Sequence, residues 1–270
     1  MEKRQVNKVD VTNWSALASK STVRSRLEIA VIVLVAVVMI GGAELAIRGF
    51  GIPEYVLPTP SAIVDALISD FGLFWPHLLI TLKELLLGYV IGASVGFIMA
   101  AIITQMPFVE KIVTPYIILM VTTPMIALVP LLILKFGFGS TPRIIAVTLA
   151  VGPLVMINSA TGFRRADALK LALARSYGAS TLQLFTKIRF PMALPMILVG
   201  LMVGGIFGLI TAVGAEMVGG KNGLGNRLAY FSSLIQMPNF FATIVLLALI
   251  GIAIYVACYL AGKKWASWEP

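Results

Sequence analysis

One cysteine and one histidine in 270 residues leave several kinds of chemistry without the groups they need. Cys258 has no second thiol to pair with, and it lies in a late apolar run where a thiol packs as a small hydrophobe. With His77 the sole imidazole, no Cys/His zinc set can be assembled. There is no GxxxxGK[ST] phosphate loop, no HExxH and no Ser-His-Asp arrangement, so neither catalytic nor metal-binding residues are assigned and no cofactor is expected on this chain. Charge is scarce as well. Asp, Glu, Lys and Arg make up 12% of the residues against 59% apolar, and the mean hydropathy of +0.96 excludes an ordinary soluble domain. Acidic residues are the scarcer sign, giving a net charge of +9. The basic residues sit at the ends of apolar runs, where they meet anionic lipid headgroups and set orientation, so nucleic-acid binding is not expected.

What is present is a series of apolar runs of spanning length. A hydrocarbon core of about 30 Å takes roughly 20 residues of helix. The runs fall at about 29–50, 85–103 (after an interfacial lead-in, 71–84), 112–134, 144–162, 194–217 and 240–261. The expectation is an all-α membrane protein of six transmembrane helices: a tail over 1–28, a membrane domain over 29–262 and a tail over 263–270. With the N-terminus inside, fifteen of the 21 Lys and Arg fall on the inner side, which makes both tails and the 163–190 loop cytoplasmic. Glu44 and Arg48 are four apart and suit an ion pair on one helix face. Between the first two runs, Pro60 to Asp70 reads as a short helix with Ile63, Ala66 and Leu67 on one side, lying on the membrane surface. The stretch 219–238 reads as a glycine-rich outer loop.

Two runs carry small residues every fourth position: Gly88, Gly92, Gly96 and Ala100, then Gly200, Gly204, Gly208 and Ala212. Such a row lets another backbone approach closely; it serves tight packing or a sliding contact during transport. Pro115, Pro124 and Pro130 predict a kinked third span whose freed carbonyls need partners from neighbouring helices or water. Thr122, Thr123, Pro124 and Met125, with Asn158 in the fourth span, are candidate pathway residues, the alternative being interhelical hydrogen bonding. Glu216 is a third kind of candidate: a gating acid near the outer mouth, a partner of Lys221 or Arg227, or an interfacial carboxylate. His77 reads as an interfacial residue rather than a proton relay, and Lys83 and Glu84 as interfacial anchors rather than an anion site.

The long inner loop is the remaining feature. Ala166 to Tyr177 is a strong helix former, Gly178 breaks it, and Ser180 with Gln183 three residues on is a capping-box signature for a second helix to Arg189. Two short helices at a glycine corner make a rigid knob, with Ala172, Leu173, Ala174, Arg175, Ser176, Tyr177, Gly178, Gln183 and Phe185 as the candidate docking surface.

This loop resembles the signature of ABC-importer inner-membrane permeases: Glu-Ala-Ala, three residues, Gly, nine residues, Ile-x-Leu-Pro. Ala172-Leu173-Ala174, Gly178 and Ile188-Arg189-Phe190-Pro191 keep both spacings. Ala172 stands where the family often has Glu and Phe190 where it has Leu, so shape and apolar contact carry more of the coupling than an ion pair. Leu57 to Pro60, His77 with Thr81 and Gly88, Pro124, Pro130, Phe136-Gly137, Ala215-Glu216 and Gly223 to Gly225 resemble the nitrate, sulfonate and taurine permeases. The resemblance implies an EAA coupling loop between the fourth and fifth spans and a second permease copy, forming a homodimer. It also implies two cytoplasmic ATP-binding subunits that hold ATP and Mg, and an external substrate-binding protein, all in a bacterial inner membrane. The expected cargo is a small anion (a sulfonate, taurine, nitrate or an aromatic carboxylate) or a thiamine or riboflavin precursor. A carrier or channel driven by an ion gradient would instead show paired ionisable residues deep in the spans, and the sequence places none there.

Overall fold

The computed structural model describes residues 26–265, apart from a few side chains; the first 25 residues of the expected N-terminal tail and residues 266–270 lie outside them. Every regular element among the described residues is helical. Helix α1 (Arg26–Gly49) belongs to a compact unit that ends at Ile52 and carries the expected ion pair, Arg48 Nη2 to Glu44 Oε1 at 2.5 Å. The second unit, Pro53–Pro270, holds all the others.

In that unit the chain runs through α2 (Pro60–Ser69), α3 (Phe71–Ile103), α4 (Pro107–Thr122), α5 (Met125–Phe136) and α6 (Ser140–Arg164). It continues through α7 (Ala168–Ser176), α8 (Thr181–Leu184), α9 (Phe190–Gly219), α10 (Leu224–Ser233) and α11 (Met237–Trp265). Five described helices, α1 included, are long and apolar enough to cross a membrane, and six spans result when the bent pair α4–α5 is taken as one. Helix α3 has no separate interfacial lead-in. Its 33 residues run unbroken through Pro76, about 50 Å of helix at 1.5 Å per residue.

Helix α6 is the spine, and α3 and α9 pack on it with their small-residue rows. A Cβ at Gly88 would lie 2.6 Å from Val147 Cβ, and one at Gly92 2.7 Å from the Thr148 carbonyl oxygen; one at Gly96 would run into the Gly152 carbonyl. From α9, Gly200 faces Asn158 Cβ at 2.8 Å, and Gly204 and Gly208 face Val155 and Val151 at 3.1 and 3.0 Å. Val147, Val151 and Val155, fully buried, are therefore enclosed by both rows. Helix α2 was expected on the membrane surface; its Ala66, Ile63 and Leu67 instead join the protein core, against α11. Apolar side chains that find a protein groove are removed from water as fully as by lipid.

The third span is broken rather than kinked. Its halves meet at 94° across Thr123 and Pro124. The residue before a proline is driven to extended backbone, and Thr123 has ψ 123°. Thr123 Oγ1 and Thr122 Oγ1 add side-chain donors to the Leu119 and Ile118 carbonyls of the last turn, at 2.7 and 3.0 Å.

Candidate functional site

Three regions carry the candidate residues. The first is the knob formed by α7 and α8. Asp167 caps α7 through the Leu169 amide (2.8 Å), and Gly178 has φ +84°, the left-handed corner that stops the helix. The capping box is complete: Ser180 N donates to Gln183 Oε1 at 2.8 Å and Gln183 N to Ser180 Oγ at 3.3 Å. Leu169, Leu173, Tyr177 and Leu182 are all exposed on this knob, Tyr177 to 84%.

The second helix of the knob does not stop at Pro191. A π-helical turn, Phe185–Arg189, carries it straight into α9. Pro191 has no N–H for the carbonyl four residues back and crowds it, and a wider turn relieves both. Phe185, taken from the sequence as a docking residue, points inward: its ring lies 5.0 Å from that of Phe163, next to Phe97 and Phe190. It anchors the knob to the spans. Arg189 ties the same end to α3 through Gln105 Oε1 at 2.9 Å.

The second region is a cavity of about 380 Å³ at the break between α4 and α5. Thr122, Thr123, Pro124 and Met125 line it together with Phe207 and Thr211 of α9. Among the described residues no charged side chain lines it. Asn158 and Glu216 are not part of it. Asn158 lies in the α6–α9 contact, its Nδ2 donating to the Leu154 carbonyl of its own helix at 2.8 Å.

Glu216 belongs to a third region at the other end of the bundle from the knob. It is fully buried, as is Thr81. Glu216 Oε1 accepts from Thr81 Oγ1 at 2.8 Å and Oε2 from the Gly225 amide at 2.7 Å. Thr81 Oγ1 in turn accepts from the Leu224 amide at 2.9 Å, and His77 Nδ1 from the Gly223 amide at 3.0 Å. These three amides open helix α10, whose first N–H groups have no partner within the helix. Glu216, Thr81 and His77 therefore act as its cap, and Glu216 pairs with neither Lys221 nor Arg227. Gly223 has φ +106°, and a Cβ there would collide with the Glu216 carboxylate, so the close approach requires glycine.

Beside the cap, Arg143 Nη1 meets Glu84 Oε2 at 3.1 Å, and Arg143 also donates to the Gly139 and Asn222 carbonyls at 2.9 and 3.1 Å. Arg143 is 5% exposed and Glu84 0%. Glu84 is thus no interfacial anchor, and a pair of ionisable residues does lie inside the helical bundle.

Residues 88–266 match the family described as the binding-protein-dependent transport system inner membrane component. The chain belongs to that family. It is 32% identical over 217 residues to a putative aliphatic sulfonates transport permease protein SsuC of Escherichia coli K12, covering 80% of this chain and 82% of the relative. It is 29% identical over 223 residues to the riboflavin transport system permease protein RibX of Chloroflexus aurantiacus, covering 81% and 82%. A crystal structure of an amino acid ABC transporter with histidines has the same fold, with a TM-score of 0.62 and 18% identity over 74% of this chain and 97% of that one.

In this ABC-transporter permease, the buried Arg143–Glu84 pair is a feature that the sequence does not announce. Both residues were placed near helix ends by hydropathy, and nothing local signals that residues 59 apart in sequence will meet. Breaking such a pair from one side strands a charge. Arg143→Leu should destabilise the permease by about 3–5 kcal/mol, and adding Glu84→Leu should recover much of that loss. Thermal unfolding of the purified variants tests this; equal melting points for Arg143→Leu and the parent would show the pair to be solvated.

Proposed function

We propose that this chain is the translocation subunit of an ATP-driven importer, working as a homodimer, and that its α7–α8 knob receives the motion of a partner ATPase. The observation that carries the reading is the knob itself. Exposed leucines and Tyr177 sit on a capped, rigid corner, and apolar groups so displayed suit a protein partner. The continuous path from α8 through the π turn into α9 suits transmission of a docking movement to the spans. On this reading the knob and both tails face the cytoplasm of a bacterial inner membrane, ATP and Mg bind the partner subunits, and an external binding protein delivers the cargo.

The cargo is a small anion, in keeping with the sulfonate relative. A second reading, a neutral heteroaromatic such as a riboflavin or thiamine precursor, is favoured by the uncharged cavity at the α4–α5 break with Phe207 in its wall. Uptake of a labelled sulfonate and of labelled riboflavin by proteoliposomes of the assembled transporter separates the two.

Docking is tested at Gly178. Nothing lies within 4 Å of a Cβ placed there, so only the left-handed backbone resists substitution. That conformation costs a β-branched residue roughly 1–2 kcal/mol and asparagine much less. Gly178→Val should lower ATPase co-purification and ATP-dependent uptake about tenfold while the chain still inserts; Gly178→Asn should stay within about threefold. Normal ATPase binding by Gly178→Val would refute the docking role.

A further inference from the structure

Helix α4, the half-span that runs from Pro107 to the break at Thr123 and Pro124, is seated differently from its neighbours. None of its described side chains is buried. It packs on α6 and α3, but its seat has gaps. A cavity of about 240 Å³ lies between Thr114 and Ile118 of α4 and Met156 and Ala160 of α6. Another, of about 140 Å³, lies between Met120 of α4 and Gly92 and Gly152 of α3 and α6. Helices are normally held by close-packed side chains, and each gap forfeits those attractions. Helix α4 therefore has room to move and little packing to resist it.

The first turn of α4 is held by charge. Glu110 Oε1 pairs with Arg164 Nη2. Arg164 is the last residue of α6, and the knob begins four residues later at Ala168. The knob thus leaves the bundle through Arg164 and returns through the π turn, where Arg189 is tied to Gln105. The Arg164 and Glu110 side chains are 49% and 31% exposed, and an ion pair so open to solvent adds little to stability. Its position is what gives it a use. It joins the root of the knob to the end of a half-span whose other end is the break. Glu110 and Thr123 are about 20 Å apart along the helix at 1.5 Å per residue. A displacement at Glu110 therefore turns α4 about Thr123 and reshapes the cavity lined by Thr122 to Met125.

We propose that Glu110 and Arg164 form a transmission contact, through which movement of the knob swings α4 about its break. The proposal goes beyond the path through the π turn into α9, and it rests on the proposed docking of an ATPase at the knob. One knob then has two outputs, a continuous one into α9 and a hinged one into α4. Neither residue lines the cavity at the break, so both are positioning residues.

Spin labels at Ile112→Cys on α4 and Leu260→Cys on α11, both exposed sites, report the swing in a Cys258→Ser background. Pulsed spin resonance is read in nanodiscs, with labelled chain diluted by unlabelled chain so that distances fall within one copy. In the chain alone, the distance distribution should be narrow for the parent, broad for Glu110→Gln and for Arg164→Gln, and narrow again for the Glu110→Arg, Arg164→Glu exchange. An acid in the first turn also suits the dipole of its own helix, but the exchange puts a base there, so its recovery must come from the pair. With the ATPase bound, trapping by ATP and vanadate should shift the parent distance. Each single substitution should lose that shift while ATP hydrolysis continues, and the exchange should restore it. A distribution for Glu110→Gln as narrow as the parent's, a shift that survives Glu110→Gln, or an exchange that restores nothing overturns the proposal. If no ATPase binds, the import reading fails, whereas the contact between Glu110 and Arg164 is judged by the chain-alone distances.

Discussion

Replacing Gly96 by leucine should all but remove this protein from the membrane. The Cβ of any residue there would be driven into the carbonyl of Gly152, so the obstacle is backbone rather than a side chain able to swing away. Overpacking a core that can repack costs about 1–3 kcal/mol. Here α3 must move off α6 bodily, and Val151, which also seats Gly204 and Gly208 of α9, moves with it. The expected loss lies at or above the top of that range, a large share of the roughly 5–15 kcal/mol that holds a typical protein folded. Gly152→Ala is the sharper comparison, because its Cβ would rest 3.4 Å from the Gly92 carbonyl oxygen, and a cost near 1 kcal/mol is expected. Gly251→Ala, with Leu209 Cδ2 the nearest atom at 3.7 Å, should be silent. Yield in the membrane fraction and the melting point of what can be purified rank the three. A well-folded Gly96→Leu chain would mean that α3 and α6 are not in backbone contact. Gly204→Leu separates the two roles of the second row: its neighbours, Val155 at 3.1 Å and Val151 at 3.3 Å, are side chains with some freedom. Loss of transport by an assembled Gly204→Leu protein would mark a sliding contact, and loss of assembly a packing one.

The glycine rows and the apolar runs were legible because both signals are local. Hydropathy over about 20 residues identifies a span, and four-residue spacing puts Gly88, Gly92 and Gly96 on one face whatever they meet. Which helix they meet is not written in that spacing. The capping box at Ser180 and the corner at Gly178 were readable for the same reason, since a cap is decided within four residues. Other features were not. Three prolines mark a weak third span, but the angle at which its halves meet depends on what each half packs against, and α4 and α5 both pack on α6 while α5 also reaches α9. Phe185 has the same sequence signature whether it faces a partner or Phe163. Helix α10 was taken for loop because its glycines are conspicuous. Its signal was present in Leu224, Leu228 and Phe231, at the spacing of one helical face and all three buried. The ionisable residues were the least legible: Glu84, Arg143 and Glu216 look interfacial one at a time and become a buried network only when α3, α6 and α9 are assembled.

Glu216→Ala is the substitution that tests that network, and it should loosen the whole segment from Gly220 to Gln236. The carboxylate takes two buried donors, Thr81 Oγ1 and the Gly225 amide; alanine leaves the Gly225 amide without an acceptor, while Thr81 Oγ1 keeps only the longer bond to the His77 carbonyl at 3.2 Å. Each buried donor left unpaired costs about 1–3 kcal/mol. Glu216→Gln keeps the length and one carbonyl oxygen, but its amide group then confronts a second donor, so an intermediate cost is expected. Thr81→Val removes the acceptor for the Leu224 amide and one of the two donors to Glu216, and should cost about as much as one arm of the cap. Hydrogen exchange at Gly223, Leu224 and Gly225, read beside the melting point, gives the ordering: Ala loosest, then Gln and Thr81→Val, then the parent. A cap predicts that stability, exchange and transport fall together. If Glu216→Gln instead kept its melting point and slow exchange while uptake collapsed, the carboxylate would be acting on the cargo, and Glu216 would be a gate after all.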